Sequence, residues 1–206
     1  MWGQKLSSVM IWHGYSHGIF PMGSDDSREI HWYEPYERAV FPLDSIYIPK
    51  SLRKDLTKPE WRVSFDEAFE DVMRGCRRAP GDNWITDEII RCFVAVHEEG
   101  WAHSCEVWEG DVLIGGLYGL ALGTCFCAES MFHRHANASK VALVRMQQKC
   151  AELGFEMFDA QLMNPHLERM GAVPMAQTDY RRRLDAALER STPWTGRRLR
   201  PDRPTS

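Results

Sequence analysis

Beyond residue 64 the apolar positions follow first one period and then another. In SFDEAFEDVMRGCRR (64–78), Phe65, Phe69, Val72 and Cys76 recur at spacings of four, three and four, which is one face of a helix. Ser64 and Glu67 form a capping box at its start. TDEIIRCFVAVHEEG (86–100) predicts a second helix, capped by Thr86 and ended by Gly100. The period then drops to two. HSCEVWEGDVLIGGLYGL (103–120) predicts two strands joined at Glu109-Gly110-Asp111, and GTCFCAESMF (123–132) a third. Asn137 to Leu153 reads as a helix closed by Gly154, FEMFDAQL (155–162) as a fourth strand, LERMG as a short helix and TDYRRRLDAALER as the last one. This is an α/β order. A helical crossover precedes the fourth strand, so that strand is expected parallel to the third.

The first sixty residues are less regular. A helix over about 6–18 is followed by Pro- and aromatic-rich segments, GIFPMG and HWYEPYERAVFPLDSIYIPKSLRK. We therefore expect a small N-terminal subdomain (1–60), a main domain (61–189) and a basic, disordered tail (190–206). Residues 177–206 hold eight Arg against four acids although the whole chain is −4, so the tail could touch phosphate. Hydrophobic residues make up 44%, enough for a substantial core. No run of eighteen apolar residues exists, so no membrane-spanning helix is expected. The six Cys follow an N-terminus without a secretory pattern and are expected as reduced thiols in the cytoplasm.

Candidate chemistry concentrates in GTCFCAESMFHRHANASK (123–140), which places Cys125, Cys127, Glu129, His133 and His135 within eleven residues. On a strand, Cys125, Cys127, Glu129 and Met131 share one face, and Thr124, Phe126, Ala128 and Ser130 the other. Cys-x-Cys on a flat strand starts ~6.6 Å apart at the backbone. No second Cys or His pair completes a zinc pattern, HEEGWAH is not His-Glu-x-x-His, and the spacing of His13 and His17 alone makes no site. No metal is expected, and the two thiols read as small apolar filler. Glu129 differs, because a carboxylate in a Cys/Met/Phe-rich strand is costly without a partner. It precedes the loop into the helix at Asn137, a junction suited to a ligand; pairing with an Arg or capping a neighbouring loop is the competing reading. On the fourth strand Asp159 and Gln161 share a face. If the two strands are neighbours, Glu129, Asp159 and Gln161 reach one pocket, and two acids with an amide suit a cationic amine rather than phosphate.

HGIFPM, HWYEPYERAVFPLD, NWITDEII, the long stretch HEEGWAHSCEVWEGDVLIGGLYGLALGTCFCAESMFHRHANASKVAL and FDAQLMNPHLERMGAV carry a resemblance over roughly residues 10 to 180. The chain is similar to the leucyl/phenylalanyl-tRNA–protein transferases. The resemblance implies an acetyltransferase-like (GNAT) α+β fold, a mixed sheet with flanking helices behind a small N-terminal domain. It implies transfer of Leu or Phe from aminoacyl-tRNA to the α-amine of proteins beginning with Arg or Lys; an apolar pocket separates close analogues poorly, so Met or Trp is expected as a side substrate. Such transfer is the degradation tag of the bacterial N-end rule pathway, and it needs no cofactor. A cytoplasmic monomer is expected.

By position, the resemblance gives Asp159 and Gln161 the catalytic pair, the aspartate orienting the glutamine, and Glu129 the acid beside the reacting ester. Leu117, Phe126, Leu143, Met146 and Phe158 match the pocket for the Leu or Phe side chain, and Trp84 an aromatic that packs on the terminal adenosine. Met22 stands where the family often has Trp, and Phe93 where Tyr is common. The longer N-terminal lead of the family is missing and the tail after Arg190 is extra. Lys50, Arg53 and Lys54 are candidates for tRNA phosphate contact. Two other readings stay open from sequence. A CoA-dependent N-acyltransferase would want a Gly-rich pyrophosphate loop, and HRHANASK has no Gly. A non-catalytic relative would bind tRNA or basic N-termini without transfer.

Overall fold

A computed structural model of the chain describes residues 6–24, 27–77 and 84–194. In chain order its elements are α1 (Ser8–Ser16), β1 (Phe20–Ser24), β2 (Ser27–Tyr33), β3 (Glu37–Phe41), β4 (Trp61–Phe65), α2 (Phe69–Gly75), α3 (Asp87–Glu98), β5 (Ala102–Glu109), β6 (Val112–Leu122), β7 (Cys125–His133), α4 (Ala138–Glu152), β8 (Met157–Asp159), α5 (Pro165–Arg169), β9 (Val173–Ala176) and α6 (Gln177–Leu188). β1 and β2 form a hairpin of their own, and the other strands make one sheet in the order β4-β5-β6-β7-β8-β3-β9. β7 and β8 are parallel, as the crossover predicts, and the other neighbours are antiparallel.

Two apolar layers sandwich the sheet. One joins Ile11 and Tyr15 of α1, Val72 of α2, Phe93 of α3 and Leu184 of α6 to Tyr118, Leu120, Cys125 and Cys127 of the sheet. The other joins Val141, Leu143, Met146 and Cys150 of α4 to Leu117, Phe126, Phe158 and Phe41. The thiols of Cys125 and Cys127 are buried and 3.7 Å apart, closer than their backbone spacing, and lie in the first layer among apolar side chains.

Three sequence expectations change. Residues 61–65 form a strand, so Ser64 starts no helix. Its hydroxyl donates to buried Glu106 at 2.7 Å and accepts from the Trp108 indole at 2.8 Å. Phe65 packs with the second layer, while Phe69 and Val72 pack with the first. The four-residue spacing thus spans a left-handed turn at Asp66 (φ 63) rather than one helix face. The fourth strand is short, because Gln161 has φ 64 and leaves the sheet. Strict alternation also fails along β7. Tyr118 pairs with Ser130 and Gly119 with Ala128, leaving Glu129 as the extra residue of a bulge. Beyond the bulge the faces exchange: Met131 packs in the second layer and Phe132 in the first.

A boundary at residue 60 falls after β3, an interior strand of the main sheet. Beyond residue 190 the chain packs as far as Trp194, and the remainder of the tail lies outside the described residues. Among the described residues no helix is long and apolar enough to cross a membrane.

α4 can rest on β6 only because Gly115 lacks a side chain. A Cβ there would lie 2.6 Å from Ala138 Cβ and 2.9 Å from the Ala138 carbonyl carbon. Gly115→Ala is expected to lower stability by about 1–3 kcal/mol, measured by urea denaturation of both proteins.

Candidate active site

The parallel strands β7 and β8 part company just where the polar residues gather. Cys127 and Asp159 are the last paired residues. Beyond them β7 runs on to His133. The segment that follows β8 turns aside instead and bonds to β3, through Ala160 N–H to Ala39 O (2.8 Å) and Ala39 N–H to Gln161 O (3.0 Å). The bulge puts half-buried Glu129 on one wall of this split, and the left-handed turn puts Gln161 on the other. Gln161 Nε2 donates to Glu129 Oε1 at 2.7 Å, which leaves its Oε1 to accept from a ligand. Burial pushes the Glu129 pKa up to about 8. The Asp159 charge adds to the rise, while the nearby Tyr15 hydroxyl, Arg38 and the Gln161 amide offset part of it. The Tyr15 hydroxyl is itself buried and outside good hydrogen-bonding geometry. Burial first, then the Glu129 charge, lifts the Tyr15 pKa well above the ordinary phenol value.

Asp159 is 1% exposed, and each of its oxygens accepts one hydrogen bond. Its Oδ1 accepts from the Gln161 backbone N–H at 2.8 Å and its Oδ2 from the Tyr180 hydroxyl at 2.9 Å. Arg38 Nη1 lies 3.6 Å from the same Oδ2. Arg38 is 2% exposed, donates from Nη2 to Gly18 O at 2.6 Å, and lies over the rings of Phe20 and Tyr180 at 4.8 and 4.4 Å. Burial works against its charge, but Asp159 and Tyr180 outweigh burial and the guanidinium pKa is raised. The aspartate thus orients Gln161 through the backbone rather than through the side chain.

The sequence reading missed Arg38, Tyr180 and Tyr15. The available signal was an Arg inside the apolar run RAVF, an energetic anomaly that demands a buried acid.

The family model described as leucyl/phenylalanyl-tRNA protein transferase matches residues 40–185, and the model of that family's N-terminal domain matches residues 5–35. The chain belongs to the leucyl/phenylalanyl-tRNA protein transferase family. A leucyl/phenylalanyl-tRNA–protein transferase of Shewanella baltica (strain OS155) is 49% identical over 181 residues, covering 86% of this chain and 76% of the relative. One from Shewanella sp. (strain ANA-3) has the same identity and coverage. Among solved structures, FemX matches 75% of this chain and 62% of its own at 11% identity with a TM-score of 0.54, a likeness of fold.

In this family member the residues matched to the amino-acid pocket come together. Leu117, Phe126, Leu143, Met146 and Phe158 all lie in the second layer at 2% exposure or less, with the Phe126 and Phe158 rings 5.2 Å apart. Phe93 and Trp84 belong to the opposite layer, where Phe93 packs edge-on to Tyr118 at 5.8 Å. The strand pattern could not show this separation, because it gave no sidedness for α3. Met22 pairs with His31 across the β1–β2 hairpin. Lys50, Arg53 and Lys54 lie on and between two single 3₁₀ turns, 50–52 and 55–57, the second of which packs against α4. Arg53 lines a groove there with Tyr47, Leu56, Arg145 and Gln148.

One cluster among the described residues has metal-like composition, Asp66, His97 and His103, with ligand atoms within 4.8 Å. Hydrogen bonds already engage it. Asp66 accepts from Ser104 N–H, His103 Nδ1 and the Trp194 indole, and both ring nitrogens of His103 have acceptor partners.

Breaking a buried pair from one side leaves a charge stranded. Asp159→Asn and Arg38→Met are each expected to cost about 3–5 kcal/mol, and the double variant less than the sum. A double-mutant cycle in urea measures this.

Proposed function

We propose that this chain transfers Leu or Phe, and Met more slowly, from aminoacyl-tRNA to the α-amine of proteins beginning with Arg or Lys. The product is a degradation tag of the N-end rule pathway, made by a cytoplasmic monomer. The observation that carries the reading is the Gln161–Glu129 hydrogen bond across the split between β7 and β8, in a member of this family.

The donor is an activated ester, so the protein supplies position and a base rather than a covalent intermediate. The acceptor arrives as an ammonium. Glu129, once its own proton has gone to solvent, takes one of these protons, and with a pKa of about 8 it is matched to an α-amine of about 7.7–8.0, so the transfer costs little. Gln161 Oε1 holds a second amine N–H and fixes the lone pair toward the carbonyl. The N–C bond forms, the proton held by Glu129 passes to the departing ribose oxygen as the ester C–O bond breaks, and the second proton lost by the nitrogen passes to the freed Glu129 carboxylate and on to solvent. Asp159 keeps Gln161 in place through its backbone. Leu117, Phe126, Leu143, Met146 and Phe158 receive the amino-acid side chain. An apolar pocket resolves one methylene by only about 1–3 kcal/mol, which leaves room for Met. Lys50, Arg53 and Lys54 contact phosphates, with Trp84, Phe93 and Met22 on the side of the terminal nucleoside.

Glu129→Gln is expected to lower kcat for Leu-tRNA by about 10²-fold or more with little change in KM. The parent's kcat/KM should rise with pH to a plateau whose limb lies near 8, and the variant should stay below it across the whole range. Label transfer to a reporter beginning with Arg reads both. The folded pKa lies above the ordinary 4.5, so the protonated carboxyl favours folding. That contribution is complete below pH 4.5 and is lost as pH rises through about 8. Thermal melts from acid to alkaline pH should therefore show the parent falling behind Glu129→Gln.

Neutralising Lys50, Arg53 and Lys54 together is expected to raise KM for tRNA and flatten its dependence on salt, with kcat largely retained. An unchanged salt slope would remove them from the interface.

A further inference from the structure

The last turn of α6 lies beside the start of β7, where Thr124 N–H donates to Ala187 O at 3.1 Å, and in the segment beyond the helix Arg190 pairs with Glu156. The segment ends on Trp194, whose indole stacks on His103 with centroids 4.2 Å apart and planes 22° apart. The same ring meets Phe65 at 5.8 Å, Phe126 at 6.4 Å and Phe155 at 6.5 Å. It therefore backs the aromatic group that continues through Phe126 to Phe158.

His103 is held between two acceptors. Its Nδ1 is 2.8 Å from Asp66 Oδ2, and its Nε2 is 2.8 Å from the Trp194 carbonyl oxygen. Carboxylates and carbonyls only accept, so both contacts are hydrogen bonds only when both ring nitrogens carry protons. Asp66 also accepts from Trp194 Nε1 at 3.1 Å and from Ser104 N–H at 2.9 Å. Trp194 is thus gripped at its backbone by His103 and at its indole by Asp66. Burial would raise the Asp66 pKa, but the His103 bond and charge and the Ser104 bond outweigh it and hold it below its ordinary value. His97, edge-on to His103 at 6.4 Å, has Nδ1 engaged by Ala102 O, and Lys149 lies over Phe65 at 5.5 Å.

We propose that the His103–Asp66 pair clasps the C-terminal segment onto the sheet, and that Trp194, so held, is a positioning residue for the amino-acid pocket through Phe126. The second half rests on the reading of Leu117, Phe126, Leu143, Met146 and Phe158 as that pocket. Phe126 belongs to both groups, its ring lying 5.2 Å from that of Phe158 and 6.4 Å from the clasped indole. Loss of the indole gives Phe126 room to retreat, which changes the shape offered to a Leu or Phe side chain without touching Glu129 or Gln161.

The test compares the full chain with Trp194→Ala, Trp194→Phe and His103→Ala. Each is assayed with Leu-tRNA and Phe-tRNA against a reporter beginning with Arg, and each is followed by amide hydrogen exchange. Trp194→Ala should change the Leu-to-Phe ratio of kcat/KM by about fivefold or more, and Trp194→Phe should restore most of it. His103→Ala should move the ratio in the same direction and speed exchange at 190–194 by about tenfold or more. A folded Trp194→Ala protein with the parent ratio overturns the positioning role, even if its Tm falls. Parent-like protection in His103→Ala overturns the clasp. A parent that transfers neither amino acid defeats the functional reading and the positioning role with it. Exchange then decides the clasp alone, upheld by lost protection in His103→Ala and overturned by its retention.

Discussion

Arg38 and Asp159 form a buried ion pair on adjacent strands, β3 and β8, and much of the site's geometry hangs on it. Neither charge could be buried alone, since the desolvation of each is offset only by the other and by shared hydrogen bonds. The partners come from far-apart segments. Gly18 closes the N-terminal helix region, Arg38 lies on β3, Asp159 ends β8, and Tyr180 stands on α6. Only a chain that brings all four together satisfies them, so the pair selects one placement of β3 between β8 and β9. It also fixes the role of Asp159. Its Oδ1 accepts from the Gln161 N–H and its Oδ2 from the Tyr180 hydroxyl beside the guanidinium, so its service to the site is to hold the backbone of Gln161.

The opening of the sheet follows from two small departures from regular strand geometry. The left-handed turn at Gln161 carries the chain off β8 toward β3, and the bulge at Glu129 twists β7 away from it. Either alone would leave a flaw in a continuous sheet. Together they make a wedge lined by side chains from both sides and closed by one hydrogen bond. The left-handed backbone at Gln161 costs a non-glycine residue about 1–3 kcal/mol, and the Asp159 bond to its N–H offsets part of that.

Much of this was legible in the sequence and some was not, for definable reasons. The parallel pairing of β7 and β8 follows from a helix between two strands, and the junction of Glu129, Asp159 and Gln161 follows from that pairing. The bulge was not legible, because a period-two pattern reads straight through an extra residue and mis-assigned Met131. The Ser64 capping box fails because tertiary burial of Glu106 recruits the Ser64 hydroxyl and keeps the segment extended. The split of the aromatic set between two layers escaped notice because residues far apart in sequence carry no sidedness until the sheet is built. The docking of Trp194 was hidden by the basic composition around it, which reads as a solvated tail although one indole is enough to anchor the segment.

The state of Glu129 draws these strands together. Its carboxyl is half-buried, faces an apolar layer and has a second acid behind it, so the proton is retained to about pH 8. That second acid is Asp159, whose charge Arg38 screens; without the guanidinium Glu129 would be harder still to ionise. The buried pair therefore tunes the base as well as holding the amide beside it. Under the proposed reaction an arriving ammonium brings the countercharge the site lacks, so the carboxylate becomes favourable only when the group to be deprotonated is in place. Neutral at rest and charged on demand, such a site discriminates for cationic acceptors without a preformed anionic pocket. It leaves the ester of the donor exposed to little basic water in the meantime.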